Sequence, residues 1–95
     1  MRRTRLSPLA LRDLETIWGY TAQRWSTVQA ESYHADIVAA FEGLAAATKL
    51  GRRVDVRDGY LKYGVGTHLI FYRQTDAHID VIRILHQSMD ADRHL

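Results

Sequence analysis

Two short apolar runs near the carboxyl end, Leu69-Ile70-Phe71-Tyr72 and Ile79-Asp80-Val81-Ile82-Arg83-Ile84-Leu85, constrain this chain more than any other feature. They flank the polar connection Thr75-Asp76-Ala77-His78 and are rich in β-branched and aromatic residues. The stretch from Thr67 to Met89 therefore reads as an antiparallel hairpin at the centre of a small sheet. The second run is apolar at both parities, with Ile79, Val81 and Leu85 on one face and Ile82 and Ile84 on the other. A strand wet on one side would alternate, so both faces need cover, and helices are the material left to supply it. Arg83 falls in the row of Val81 and Leu85, where a charge needs water or a partner. It is either an anchored ion pair or a site residue.

The upstream chain supplies those helices. Residues 2 to 6 offer a short strand as a further partner for the hairpin. Ser7-Pro8 opens a helix, Ser7 capping free amides and Pro8 standing where its missing N–H costs nothing. Ala10, Leu14, Ile17, Trp18, Thr21 and Trp25 then recur at helical spacing, which predicts a helix over about 8–24. Ser26-Thr27-Val28-Gln29 fits a capping box and starts a second helix over about 27–48, antiparallel to the first. Its inner stripe is Ala30, Tyr33, Ile37, Ala40, Phe41 and Leu44, with Ala35, Val38, Ala39 and Ala45 on the flanks. Flanks so poor in charge suit a partner laid along the helix, or express only the helix preference of alanine. Residues 49–58 read as a surface loop, and a strand from Gly59 to Val65 leads through a turn near Gly66-Thr67 into the hairpin. The expected fold is a single α+β domain over 1–95, in the order β-α-α-β-β-β, with the helical hairpin packed on one sheet face.

Composition narrows the functional classes. The 95 residues suffice for one core, and the absence of cysteine excludes disulfides and cysteine-ligated zinc. The basic start runs into Leu6-Ser7-Pro8 rather than a long apolar segment, and no run approaches the ~18 residues of a membrane span. A cytoplasmic protein is expected. A net charge of +2 is too mild to argue for nucleic-acid binding by itself. However, Lys49, Arg52, Arg53, Arg57 and Lys62 crowd one segment beside Asp55 and Asp58, and Arg2, Arg3 and Arg5 crowd the amino end. They form either a basic patch for an acidic partner or a phosphate backbone, or an ordinary solvated surface.

The histidines, His34, His68, His78, His86 and His94, have no ligand-like spacing, so neither metal nor cofactor is expected. His86 ends the central strand near Arg83. That arrangement suits general acid–base cleavage of RNA with a cation on the transition state, or a histidine donating to a carbonyl to close the strand.

The residues also carry a family resemblance. Leu6-Ser7-Pro8, Asp13-Leu14-Glu15-Thr16-Ile17-Trp18, Tyr20, Trp25, Ala30-Glu31-Ser32-Tyr33, Leu50-Gly51-Arg52, Gly64-Val65-Gly66-Thr67-His68-Leu69-Ile70-Phe71-Tyr72-Arg73 and Arg83-Ile84-Leu85-His86-Gln87-Ser88-Met89-Asp90 together resemble the ParE branch of the RelE/ParE toxin superfamily. The resemblance implies the toxin of a type II toxin–antitoxin module. Such a toxin traps DNA gyrase on cleaved DNA by binding rather than catalysis, and is silenced by a ParD-like antitoxin whose tail wraps over it. On that reading Arg83, His86, Met89 and Asp90 meet the target, and Val38, Glu42, Ala45, Arg52, Arg53 and Arg57 meet the antitoxin. The other branch cuts messenger RNA on the ribosome with basic sheet residues and a carboxy-terminal tyrosine or histidine. Leu69 and Met89 stand at the corresponding sheet positions, which weakens that alternative. Leu61 follows Gly59-Tyr60 where ParE-branch members often carry arginine, so a toxin that has lost its activity and acts only within a DNA-binding repressor complex with its antitoxin is a further alternative. Thr48 replaces a usual proline near the end of the second helix.

Overall fold

The computed structural model describes residues 1–55 and 57–95. Its elements are β1 (Arg3–Leu6), α1 (Pro8–Arg24), α2 (Thr27–Ala45), β2 (Arg52–Arg53), β3 (Leu61–Val65), β4 (His68–Gln74), β5 (His78–His86) and α3 (Ala91–His94). The sheet has the strand order β1-β5-β4-β3-β2, with β1 parallel to β5 and every other pair antiparallel. The α+β class and the β-α-α-β-β-β frame are those expected, with β2 and α3 added to them. No described helix is long and apolar enough to cross a membrane.

Both long helices start where a side chain satisfies their free amides. Ser7 Oγ accepts from the Ala10 N–H at 3.0 Å, and Ser26 Oγ accepts from the Gln29 N–H at 3.0 Å. Ala10, Leu14 and Ile17 of α1 pack with Ile37, Ala40, Phe41 and Leu44 of α2 over one face of the sheet. Trp25 does not continue the inner stripe. It stands just past the end of α1 and is 69% exposed.

The second helix ends at Ala45 rather than near residue 48. Thr48 N–H donates to the Gly43 carbonyl at 2.9 Å and Ala47 N–H to the Leu44 carbonyl at 3.2 Å, with Ala47 in the left-handed region at φ 60°. This is the hydrogen-bond pattern with which helices commonly stop, built here without its usual glycine. Ala45, expected on a flank, is instead a core residue at 5% exposure.

A bulge corrects the facing of β5. Phe71 pairs with Arg83 but Tyr72 pairs with Val81, so Ile82 is an extra residue and the parity flips across it. Ile79, Val81 and Ile84 consequently join Ile70 and Tyr72 against the helices, while Phe71 and Leu85 face the other way with Val54. Arg83 thus shares its face with Leu85 and not with Val81, and Ile84, expected on the opposite face, lies with Val81 instead. That second face is covered by Val54 and Tyr60 of the β2–β3 loop and by Ala91 and Leu95 of the carboxyl end, not by α1 and α2.

The 49–58 segment, expected to be loop throughout, contains β2, whose Arg52 and Arg53 pair with Lys62 and Leu61. Its entry is fixed by Gly51, whose N–H donates to the buried Tyr72 hydroxyl at 2.9 Å. A Cβ at Gly51 would lie 2.8 Å from the Lys62 carbonyl oxygen, so no other residue fits there without movement.

Candidate functional site

Beyond Val81 the edge of β5 has no strand beside it among the described residues, and α1 takes its place. Ser7 Oγ donates to the Ile82 carbonyl at 2.6 Å, and Asp13 accepts from the Ile84 N–H at 2.9 Å. The same Asp13 carboxylate accepts two bonds from Arg83, from Nε at 2.8 Å and from Nη2 at 2.9 Å. Arg83 also donates to the His94 carbonyl at 3.4 Å, linking α1 to α3 around the strand edge. The two side chains of the pair are 16% and 14% exposed. The Asp13 hydrogen bonds hold the Arg83 guanidinium above its ordinary pKa despite the opposing effect of burial.

Next to this junction lies an open groove of about 780 Å³ between the helical hairpin, the β3–β4 turn and the end of β5. Tyr20, Arg24 and Trp25 line it from α1 and its end, Tyr33 and Asp36 from α2, and His68, His86 and Met89 from the sheet side. At its floor His68 and His86 are direct cross-strand partners, with ring centroids 5.4 Å apart and nearly perpendicular planes. The Tyr33 hydroxyl donates to the Val65 carbonyl at 2.8 Å and meets His68 Nδ1 at 2.7 Å. With its proton so placed, the hydroxyl accepts from His68 Nδ1–H, which leaves His68 Nε2 a lone pair. His86 Nδ1 accepts from the Ser88 N–H at 3.1 Å and meets the Ser88 hydroxyl at 2.7 Å. His86 therefore carries its proton on Nε2, and it takes a bond from the backbone rather than donating to a carbonyl as one sequence reading had it.

The two imidazoles are chemically complementary, one presenting an acceptor and the other a donor. Burial lowers the His68 pKa, the nearby His86 lowers it further, and Asp13 opposes both. The β3–β4 turn that brings His68 to Tyr33 depends on Gly66, which has φ +56°. A Cβ there would meet the Tyr33 ring at 2.8 Å.

The structure brings together only some of the residues singled out from sequence. His86 and Met89 line the groove, while Arg83 lies beside it with its head turned to Asp13. Asp90 caps α3 by accepting from the Asp92 N–H at 3.0 Å. Val38 and Glu42 lie on α2, half-buried and exposed respectively, and Ala45 is in the core. Arg53 follows the helix-side parity of Leu61, Arg52 follows the opposite parity of Lys62, and the Arg57 guanidinium stacks 5.2 Å from the Tyr60 ring centroid. These six do not form one surface. His68 and Tyr33 were missed as groove residues. The signal for His68 was its place at the start of β4, since a hairpin closed at 75–77 carries that end to His86. No cluster of metal-ligating side chains occurs among the described residues.

Comparison with known proteins places this architecture. Residues 4–91 match the family described as the ParE toxin of type II toxin–antitoxin systems. The chain belongs to that family. This ParE-family chain is 47% identical over 92 residues to "Toxin ParE1" of Mycobacterium tuberculosis (strain ATCC 25618 / H37Rv), covering 95% of the chain and 94% of the relative. It is 40% identical over 96 residues to "Toxin ParE1" of Caulobacter vibrioides, covering 100% of the chain and 99% of the relative. In fold it is similar to the chromosomal ParDE system from P. aeruginosa, with a TM-score of 0.78 at 20% identity over 90% of this chain and 96% of that one.

Proposed function

We propose that this ParE-family toxin inhibits DNA gyrase by binding it and trapping it on cleaved DNA, and that a ParD-like antitoxin neutralises it. The observation that favours binding over catalysis is the Arg83–Asp13 pair. Arg83 is the cation of the strand that carries His86, and a carboxylate already occupies it with two hydrogen bonds. It is therefore not free to stabilise the extra negative charge of a phosphoryl transition state. The groove instead offers Tyr20 and Trp25, 61% and 69% exposed, with Met89 opposite them, and exposed aromatic and methionine side chains suit a protein contact. The antitoxin contact is assigned to α2 through Val38 and Glu42 and to the adjoining sheet edge through Arg53.

The decisive assay is supercoiling by purified gyrase with the toxin added, scoring lost supercoiling and linear DNA after protein digestion. Linear product that the antitoxin abolishes is the expected result, and no effect at high excess would exclude the mechanism. One feature favours a second reading. The His68–His86 pair has the acceptor and donor that ribose-directed RNA cleavage requires. Ribosome-dependent cleavage of messenger RNA, lost in both His68→Ala and His86→Ala, would replace the gyrase reading.

A further inference from the structure

The sheet face that α1 and α2 leave free carries cations from β1, β2, β3 and β4. Arg3 and Arg5 of β1 stand beside His78 and Asp80 of β5, Arg73 of β4 stands beside Asp80, and Lys62 of β3 stands beside Arg52 of β2. The β2–β3 loop adds Arg57, so that two guanidiniums, those of Arg57 and Arg73, stack on the single Tyr60 ring at 5.2 and 5.7 Å. Asp80, the carboxylate on these strands, is already held by Arg5 through bonds of 2.6 and 3.0 Å. Asp55 and Asp58 lie exposed on the adjoining loop. Among the described residues, Arg3, Arg52, Arg57, Lys62 and Arg73 make no ion pair.

We propose that this face binds the phosphate backbone of double-stranded DNA without reading its sequence, through Arg3, Arg52, Arg57, Lys62 and Arg73. Five strands spaced ~4.8 Å apart make a surface about 20 Å wide. Duplex DNA carries one charge per ~1.7 Å of axis, so such a surface meets several phosphates at once. An acidic peptide would need apolar anchors as well as cations. On this face Phe71 and Leu85 are each only 2% exposed beneath the loop and α3, and Tyr60, Leu69 and Leu95 are half-buried against them, so none stands open as a pocket or anchor. Cations without open pockets suit phosphates, which position a protein on a duplex and carry no sequence information. The choice of DNA over RNA rests on the gyrase reading, in which the toxin works beside a DNA segment.

Fluorescence anisotropy of a labelled duplex across a salt series tests the face without gyrase. Five phosphate contacts predict an affinity that falls about 500-fold between about 50 and about 200 mM salt. Arg57→Gln with Arg73→Gln should reduce that fall to about 40-fold, and Arg3→Gln with Lys62→Gln should do the same from other strands of the sheet. Circular dichroism checks that the variants fold. No binding at the lowest salt, an unchanged slope in both double variants, or stronger competition by single-stranded RNA or polyglutamate would overturn the proposal. The gyrase assay reads separately: DNA binding without lost supercoiling supports this face and removes the gyrase reading, whereas gyrase inhibition without DNA binding removes this face.

Discussion

Two arginine–aspartate pairs, both bidentate, brace the two halves of β5. Arg5–Asp80 ties its first half to β1 with bonds of 2.6 and 3.0 Å, and Arg83–Asp13 ties its second half to α1 with bonds of 2.8 and 2.9 Å. Their chemistry is the same, but the first pair has side-chain exposures of 58% and 26% and the second 16% and 14%. The exposed pair exchanges one set of good hydrogen bonds for another, because water competes for both partners. The enclosed pair has no such substitute. Asp13 also holds the Ile84 N–H, so its loss would strand a part-buried cation and a strand amide together. What such a contact contributes depends on what replaces it when it breaks, and that is set by the surroundings rather than by the bond lengths.

The largest expected effect follows from this difference. Asp13→Ala should lower the free energy of unfolding by about 3 kcal/mol, measured by urea denaturation, whereas Asp80→Ala should leave the midpoint nearly unchanged. Equal losses would break the comparison. Asp13→Leu combined with Arg83→Leu sharpens it, because removing both charges leaves no stranded cation. The double variant should recover about 1–2 kcal/mol relative to Asp13→Ala, and failure to recover any would mean that the Ile84 amide, not the charge, carries the cost.

Much of this arrangement was legible in the sequence. The hairpin, both helix starts and the fold class follow from β-branched runs, Ser7-Pro8 and the Ser26 cap. The requirement that Arg83 find water or a partner was also readable, but Asp13 as that partner was not. Strict alternation placed Arg83 with Val81, and only the bulge at Ile82 turns it to the other side of the strand, where the edge is open to α1. Nothing local marks such a bulge, since Ile82 is as apolar and β-branched as Val81 and Ile84. The end of α2 was hidden for a related reason, because Ala47 adopts a conformation that glycine usually announces. The groove depends on the same kind of long-range register. His68 and His86 are 18 positions apart, and only the pairing of β4 with β5 makes them partners.

An intermediate effect is expected from that histidine pair, which shares the enclosed side of the sheet with Asp13. The groups acting on His68 are the Tyr33 hydroxyl, His86 and Asp13, and the net result is a lowered pKa caused first by burial. The folded state therefore favours neutral His68. No stability is lost to it well above the ordinary value of 6.5, and the loss grows as pH falls below 6.5 toward the lowered folded value. His68→Gln, which can still donate to Tyr33, should flatten this part of the pH–stability curve as followed by urea midpoints. An unchanged slope would show that His68 does not carry this pH dependence.

The smallest effect should come from Arg5→Gln, and salt is what makes it informative. Arg5 holds the Asp80 carboxyl below its usual range, chiefly by its hydrogen bonds, so the pair's contribution is present above about pH 3.8 and is lost as pH falls through the lowered value. Both groups are in water, and at about 0.5 M salt the screening length shrinks to roughly 4 Å. The difference between wild type and Arg5→Gln in urea midpoint should therefore be slight in dilute buffer and vanish at that salt. The loss in Asp13→Ala should persist there, because ions do not reach the space between α1 and β5. A salt-resistant loss in Arg5→Gln would mean that β1 depends on Arg5 for packing along the strand rather than for its charge, and exposure would no longer separate the two pairs.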